Sequence, residues 1–338
     1  MKTKATLKYM LIILFLIACS NSQDKDIPPT DISLTITKET EQDQMANFAQ
    51  NAMAEFNGKV WSVGGESSYV PPGTLSPTVW SSENGVAWIS GVSSPVFERR
   101  DHSLIVLDDA MYLIGGFNND HVGINDVWKT FDGINWTRLI TESDFPLVIG
   151  GEHRSVIFND QILLAKGASI DGEEVVQVLT SSNGINWSRL TSNAFPYRED
   201  FDLVVFNNEL YAVGGQTTDT TLSNDIYKSS DGITWSKVNT NTPLFSGRQF
   251  NTITVYNNKV WIIGGQNSTT LAFTDIWYSS DMVNWTLYGG LEEDALGLYN
   301  HAALNYKDGI WLFGGMLQTA PSADSVNITG QIVSIKED

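Results

Sequence analysis

A repeat of about fifty residues is the feature of this sequence that most restricts its fold. Apolar runs end in a glycine pair five times, and a sixth run ends in Lys166-Gly167 where the missing pair should fall. The five pairs are Gly64-Gly65, Gly115-Gly116, Gly214-Gly215, Gly264-Gly265 and Gly314-Gly315. Such a period indicates equivalent units that stack on one another to build a continuous core.

Each unit carries signals for four short strands. A turn of Asn, Asp or Gly precedes each glycine pair and Lys166-Gly167, as at Asn207-Asn208. These residues tolerate the positive φ of tight hairpin turns. A second hairpin is predicted after the glycine pair, where an aromatic residue stands eight positions before a tryptophan, as in the pair Tyr227 and Trp235. Four-stranded antiparallel units repeating in this way predict an all-β fold, a six-bladed β-propeller.

The sixth unit is incomplete. After Gly315 the sequence has one further strand pattern, about Gln331 to Lys336, and ends without a second hairpin. Residues Ile32 to Thr37 alternate with the period of two that a strand requires. Because an open sheet edge invites aggregation, we expect this N-terminal strand to close the last blade. The propeller is therefore expected to cover residues 32–338.

The glycine pairs followed by Asn-Asp-Val-Trp at 125–128 and Asn-Asp-Ile-Tyr at 224–227 resemble the kelch repeat. The resemblance covers essentially all of residues 32–338 and implies a kelch-like propeller of the galactose oxidase-type superfamily. The copper radical chemistry of galactose oxidase is not expected, because its cofactor is a tyrosine bonded to a cysteine and the only cysteine of this chain is Cys19. No cofactor is expected.

The N-terminus resembles a bacterial lipoprotein signal. Three lysines come first, an apolar run follows from Met10 to Ala18, and Cys19 comes directly after it. The run is too short to span a bilayer, which takes about 20 apolar residues. We therefore expect a signal peptide over 1–18, a lipidated Cys19 and a flexible tether over 19–31. Ser20 after the cysteine implies a lipid-anchored protein of the cell envelope, in the outer membrane and either periplasmic or surface-exposed.

The charge balance excludes one class of partner. Lys and Arg number 20 against 39 Asp and Glu, for a net charge of −19. Removal of the three lysines of the leader would deepen this charge to −22. A surface so acidic repels phosphate backbones, so nucleic acid is not expected as a partner. Membrane contact is expected through the lipid anchor only, and the protein is expected to be a monomer.

Aligning the repeats places a recurring set of polar residues near the start of the first strand of each unit. Asn51, His102, His153, Phe201, Asn251 and His301 share one position, and Arg99, Arg198 and Arg248 stand three residues before it. The candidate ligand-binding residues are Arg99, His102, Glu152, His153, Lys166, Arg198, Glu199, Arg248, Asn251 and His301. Arginine forks suit carboxylates, but the same residues can simply tie blades together, and both alternatives stay open. No metal site is expected, because six-fold placement separates the imidazoles beyond the reach of one ion.

Two loops exceed the others in length, Glu66 to Thr78 and Met316 to Gly330. They belong to units that are neighbours across the closure, so we expect them side by side on one face, as a rim that recognises a specific partner. Unselected variation in loop length is the alternative.

Two functions are consistent with these features. The first is a non-catalytic binding module that holds a glycan or protein ligand at the channel mouth, favoured because no nucleophile, phosphate-loop or metal motif is present. The second is an enzyme of the sialic acid mutarotase type, since bacterial kelch propellers include such mutarotases and they need only acid–base residues and a carboxylate clamp. The sequence does not identify the catalytic residues of such an enzyme.

Overall fold

A computed structural model describes residues 33–40, 48–67, 74–141, 150–267, 272–291, 297–318, 326–328 and 332–337. The expected leader, Cys19 and the tether up to residue 31 lie outside these ranges. Among these residues, one short 3-10 helix, Pro95–Phe97, accompanies the strands. Within the described ranges, no helix has the length and apolar character needed to cross a membrane.

Six antiparallel sheets form the blades, which follow one another in chain order and whose strands run in order from the inside outward. Blade 1 consists of strands Ala52–Phe56, Lys59–Val63, Thr78–Ser82 and Ile89–Ser93. Blade 2 consists of strands Ser103–Leu107, Ala110–Ile114, Val127–Thr130 and Trp136–Ile140. Blade 3 consists of strands Arg154–Phe158, Gln161–Ile170, Glu173–Ser181 and Ser188–Thr191. Blade 4 consists of strands Asp202–Phe206, Glu209–Val213, Ile226–Ser229 and Ser236–Lys237. Blade 5 consists of strands Thr252–Tyr256, Lys259–Ile263, Asp275–Ser279 and Thr286–Gly290. Blade 6 consists of strands Ala302–Tyr306, Gly309–Phe313 and Ile332–Glu337, with the N-terminal strand Leu34–Thr40 outermost. The inner strand of every blade contacts the inner strands of both neighbours, so the ring is closed.

The N-terminal strand completes blade 6, which confirms the predicted closure. Leu34–Thr40 pairs antiparallel with Ile332–Glu337, so that Leu34 lies opposite Glu337 and Thr40 opposite Ile332. The strand begins two residues later than the pattern predicted. Leu34 and Ile36 pack against the buried cluster that contains Ile335, which anchors the added strand.

The ring has two distinct faces. At the mouth face the inner strands begin and the glycine pairs lie, as shown by the pairing of Asp202 with Val213 in blade 4. At the turn face the hairpin turns lie, as shown by the pairing of Phe206 with Glu209. All six blades point the same way, because residues at the start of each inner strand or directly before it line one cavity.

Two small sheets stand at the mouth face beside the closure. One consists of Phe48–Ala49, Glu66–Ser67 and Thr74–Leu75, and the other of Gly297–Tyr299, Met316–Gln318 and Val326–Ile328. The Gln50 amide donates to the Asn300 carbonyl at 3.1 Å and joins the two blade linkers. The two long loops therefore start from adjacent places, while residues 68–73, 319–325 and 329–331 lie outside the described ranges. Their role as a recognition rim stays a prediction.

The first glycine of a pair makes room for the next blade. A Cβ on Gly64 would lie 2.7 Å from Cε1 of His102, and Gly64 has a φ of +63°. Lys166 stands at this position in blade 3, where the chain does not turn but continues as the long hairpin of Gln161–Ile170 and Glu173–Ser181. The following blade then has Phe201 in place of the imidazole, packed edge-on against Phe195 at 5.5 Å.

A glycine in the outer turn of blades 1 to 4 allows neighbouring blades to pack closely at the turn face. Gly133 in the outer turn of blade 2 has a φ of +75°, and a Cβ there would lie 2.2 Å from the Trp61 ring of blade 1. The turn is held by Thr130 Oγ1, which accepts from the Gly133 amide at 2.9 Å. Gly85, Gly184 and Gly232 repeat this contact on Trp311, Tyr112 and Leu163 of the preceding blades.

Replacing Gly133 with alanine should lower the melting temperature more than replacing Gly58 does. Gly58 has a φ of +72° but no atom within 4 Å of an added Cβ, so Gly58→Ala should cost only the left-handed backbone penalty of about 1–2 kcal/mol. Gly133→Ala adds overpacking against Trp61, typically about 1–3 kcal/mol more. Thermal unfolding of both variants measures the difference, and equal losses would contradict the packing role of Gly133.

Candidate functional site

Six residues with positive φ form a ring at the mouth face, one before each inner strand. They are Gln50, Asp101, Glu152, Asp200, Phe250 and Asn300, with φ between 50° and 62°. The amide of Glu152 donates to the Asp101 carbonyl at 3.1 Å, and that of Asn300 donates to the Phe250 carbonyl at 3.0 Å. Non-glycine residues are uncommon in this conformation and cluster at functional sites. This mouth ring therefore combines a uniform backbone with side chains that differ from blade to blade.

A cavity of about 270 Å³ opens just inside the mouth ring and is lined by all six blades. Four of the predicted residues line it: His102, His153, Asn251 and His301. Asp101, Arg154 and Asp202 line it as well, although they are not among the residues predicted from the sequence. Polar side chains from all six blades therefore line this one cavity.

An arginine and an aspartate of neighbouring blades are paired inside the cavity. Arg154 Nε donates to Asp202 Oδ1 at 3.4 Å, and the Asn251 amide donates to Asp202 Oδ2. Burial raises the pKa of Asp202 to about 6, while Arg154 opposes the rise. About a quarter of the Arg154 side chain is exposed, so its guanidinium can still reach a ligand.

A carboxyl group beside this pair keeps its proton near neutral pH. Asp200 is buried, and burial raises its pKa to about 8, with Arg154 lowering it and Glu152 and Asp101 raising it further. Its Oδ1 atom has no hydrogen-bond partner within the described part of the chain. Burial also raises the pKa of Glu152 and of Asp101. Asp200 can therefore act as a proton donor at the mouth.

A second group of ion pairs holds the mouth ring between blades 1 and 2. Arg100 Nη1 donates to Asp101 Oδ2 at 2.6 Å, and Arg100 Nε lies 3.4 Å from Glu66 Oε1. The Gln50 amide reaches the same Asp101 oxygen at 3.4 Å. Asp101 is thus fixed by neighbours on both sides.

The histidines of the cavity are neutral. His102 Nε2 donates to the Val63 carbonyl of the preceding blade at 3.1 Å, and His153 Nδ1 lies 3.1 Å from the Gly150 carbonyl. Burial lowers the pKa of His153 and of His301 to about 3 and that of His102 well below its usual range. These imidazoles act as uncharged polar walls. No group of three or more His, Cys, Asp or Glu able to hold a metal ion occurs among the residues described.

The three predicted arginines lie inside the blades and do not line the cavity. Arg99 donates to Asp126 Oδ1 at 2.7 Å and to the Gly115 carbonyl at 2.8 Å. Arg248 makes the equivalent bonds to Asp275 and Gly264, at 2.6 and 2.8 Å. Arg198 donates to the Gly214 carbonyl at 3.0 Å, but its Nη2 lies 4.0 Å from Asp225. These contacts correspond to the structural alternative that the sequence left open for Arg99, Arg198 and Arg248.

Lys166 and Glu199 lie in a separate cleft of about 610 Å³ beside the long hairpin of blade 3, together with Arg189 and Tyr197. Lys166 Nζ donates to the Gly151 carbonyl at 2.9 Å, and burial lowers its pKa. The Tyr197 hydroxyl donates to Glu199 Oε1. The predicted candidates thus divide among the cavity, the mouth ring, which holds Glu152, the blade interiors and this cleft.

A sequence signal for Arg154 and Asp202 existed in the register of the repeats. Both are the first residue of an inner strand, where the other blades have Ala52, Ser103, Thr252 and Ala302. Neighbouring inner strands pack against each other, so equivalent residues of consecutive blades lie across a blade boundary, as Arg154 and Asp202 do. The position of Arg154 and Asp202 in the repeat comes directly after the position that His102, His153 and His301 share. It lies outside the recurring set of arginines and histidines described from the sequence.

Replacing Arg99 with glutamine should destabilise the ring more than replacing Arg198. Asp126 is buried, and Arg99→Gln would leave its carboxylate the neutral Trp128 indole N–H at 2.8 Å and Arg138 at 3.8 Å, so the loss should approach the roughly 3–5 kcal/mol typical of a broken buried pair. Asp225 is one-third exposed and keeps Lys237 at 2.7 Å, so Arg198→Gln should cost less. Urea unfolding compares the two variants, and the reverse order would refute this assignment.

The fold and the site define a six-bladed β-propeller with a polar cavity at one mouth. Residues 154–280, which cover blades 3 and 4 and the first three strands of blade 5, match the family model described as DUF6242 beta propeller domain. Among solved structures, the chain is similar to that titled "Structure of YjhT", at 13% identity and a TM-score of 0.65, covering 86% of this chain and 97% of the other. This likeness concerns the fold. Among curated proteins no match was found.

Proposed function

We propose that this protein is a lipid-anchored binding module that holds a hydroxyl-rich ligand, a glycan, in the cavity at the mouth face. The observation that carries the proposal is the linked set Arg154, Asp202 and Asn251, contributed by three successive blades to one cavity. Guanidinium, carboxylate and amide groups supply fixed donors and acceptors in the planar arrangements that adjacent sugar hydroxyls require.

Charge and shape support an uncharged ligand. The carboxyl groups of Asp101, Glu152 and Asp202 stand beside the guanidinium groups of Arg100 and Arg154, and Asp200 keeps its proton near neutral pH, so the mouth has no excess of positive charge that would attract an anionic ligand. The half-buried ring of Phe250 stands in the mouth ring and offers an apolar surface against which a sugar can stack. Concave sites with a few convergent polar groups are the usual form of such sites.

Replacing Arg154 with glutamine should weaken glycan binding by a factor of about ten to one hundred. Hydrogen bonds to charged groups contribute about 1.5–3 kcal/mol, and about 1.4 kcal/mol corresponds to tenfold in affinity. A glycan array with residues 20–338 identifies the sugar, and calorimetry with that sugar compares the wild type and Arg154→Gln. Lys237→Gln, an exposed change of the same type on the outer strand of blade 4, is the matched control. Unchanged affinity in Arg154→Gln would reject the cavity as the binding site.

Asp200 favours a second candidate function, the interconversion of sugar anomers expected from the mutarotase resemblance. Ring opening requires an acid that protonates the ring oxygen while a base removes the proton of the anomeric hydroxyl, as the bond between the anomeric carbon and the ring oxygen breaks. The protonated Asp200 suits the acid, and Glu152, its neighbour in the mouth ring, suits the base. Return of both protons after rotation closes the ring as the other anomer.

If the protein has this activity, Asp200→Asn should abolish it. The wild-type rate should fall as the pH rises through about 8, because Asp200 then loses the proton it would donate. Asparagine tolerates the positive φ of 50° at this position, so the backbone should be preserved. Polarimetry or NMR of sugar anomers measures the rate, with Asp219→Asn, an exposed carboxylate on the same face of blade 4, as the control. A bound sugar without faster anomerisation supports the binding function alone.

The cell-envelope location is part of the proposal and rests on the N-terminal sequence. Cys19 after the apolar run at Met10 to Ala18 supports lipidation, with the ring held outside the cytoplasm as a monomer. Intact mass of the N-terminal peptide from membranes tests this directly, because an attached acyl chain adds a defined mass to Cys19. A peptide that retains residues 1–18 without lipid would refute the anchor.

A further inference from the structure

The polypeptide enters the ring at the turn face, opposite the mouth. Leu34, the first residue of the closing strand, pairs with Glu337 at the turn end of blade 6, and the strand then runs to Thr40 at the mouth end. Lys259 and Asn257 of the turn in blade 5 contact the Glu337 carboxylate at 2.9 and 3.0 Å, which fixes this end at the turn face. Any tether before Ser33 therefore leaves from the turn face.

The tether has a span similar to the height of the ring. Fourteen residues separate Cys19 from Leu34. A flexible chain of that length has a root-mean-square span of about 20 Å, close to the height of roughly 17 Å of a five-residue strand with its turns excluded. A ring with its mouth toward the membrane would require the tether to stretch along the side of blade 6. The ordinary span of the tether favours the turn face toward the membrane.

Exposed apolar side chains are concentrated on that same face. Of the large apolar residues that are most exposed in the described ranges, Ile89, Phe131, Ile134, Ile185 and Ile233 lie at the turn face and only Val122 lies at the mouth face. Ile134, Ile185 and Ile233 occupy one equivalent position in the outer turns of blades 2, 3 and 4, and each is about half exposed or more. These blades stand across the ring from blade 6, where the tether enters.

We propose that the turn face lies on the lipid bilayer and that the mouth is directed away from the membrane, into the aqueous space from which a ligand comes. The tether holds the ring at blade 6, and the isoleucines of blades 2 to 4 hold the opposite side by entering the interfacial layer, a membrane contact in addition to the lipid anchor expected from the sequence. The inference rests on the proposed lipidation of Cys19. Asp132 and Asp231 in the same turns accept backbone amides and remain ionised, so a zwitterionic surface suits this face better than an anionic one.

Single-cysteine labelling can measure the orientation, since Cys19 is the only natural cysteine and its sulfur would be blocked by lipid. Ser230→Cys at the turn face and Thr218→Cys at the mouth face form a matched pair of exposed positions on blade 4. Each lipidated full-length variant is labelled with a donor dye and placed in phosphatidylcholine and phosphatidylethanolamine vesicles that carry a headgroup acceptor. Energy transfer to the vesicle should be at least twofold more efficient from position 230. Equal transfer, or more transfer from position 218, would overturn the proposal.

Combined substitution of Ile134, Ile185 and Ile233 by serine should reduce the difference between the two positions, whereas Val122→Ser should leave it unchanged. Transfer between two labelled copies without vesicles would assign the apolar turns to self-association and overturn the lipid contact. Mass analysis of Cys19 and glycan binding are measured on the same preparations. An acylated, sugar-binding protein with equal transfer refutes the orientation alone, while absence of the acyl chain refutes both the anchor and the orientation.

Discussion

The hydrogen bonds between Leu34–Thr40 and Ile332–Glu337 close the ring, and the geometry of the rest of the protein depends on that closure. An open stack of six blades could twist freely, because each blade contacts only its neighbours. Closure makes the first and last blades neighbours, and the inner strand of blade 6 then packs against that of blade 1. Only in the closed ring do six inner strands surround one cavity and bring residues distant in sequence within hydrogen-bond distance.

The closed ring also explains why one backbone conformation recurs in the linkers at the mouth. Each inner strand must start beside the preceding one, and the linker makes this turn through one residue of positive φ. The positive φ alone makes this turn, so the side chains can differ from blade to blade. The six residues are Gln50, Asp101, Glu152, Asp200, Phe250 and Asn300. Glycine would meet the same backbone requirement at lower cost, yet the described ring uses none at these positions.

Much of this architecture could be predicted from the sequence, because period, turn chemistry and glycine spacing each act locally. The turn at Asn207-Asn208 and the pair Gly214-Gly215 set two strand ends without any knowledge of the rest of the chain. The site was less accessible, since it depends on which residues meet across blade boundaries. Arg99 and Arg248 share a motif with the histidines but are held inside their own blades by Asp126 and Asp275.

The residues that do meet were visible only by comparing equivalent positions of adjacent repeats. Arg154 and Asp202 face each other because both begin an inner strand, and no motif contains them together. Blade 3 shows the same logic in reverse. Lys166 removes the glycine that would receive an imidazole, and the next blade has Phe201, which packs on Phe195. A departure from the repeat in one blade is thus matched by a departure in its neighbour.

The two faces of the ring follow from one property of a four-stranded blade. Strands alternate in direction, so the linkers and glycine pairs fall on one face and both hairpin turns fall on the other. Linkers bring different blades together and can build a shared polar cavity, whereas a turn belongs to one blade and presents its tip to the surroundings. Because the first described strand, Leu34–Thr40, is the outer strand of blade 6, its first residue lies among the turns. The strand that closes the ring therefore begins at the turn face, whereas the polar cavity opens at the opposite, mouth face.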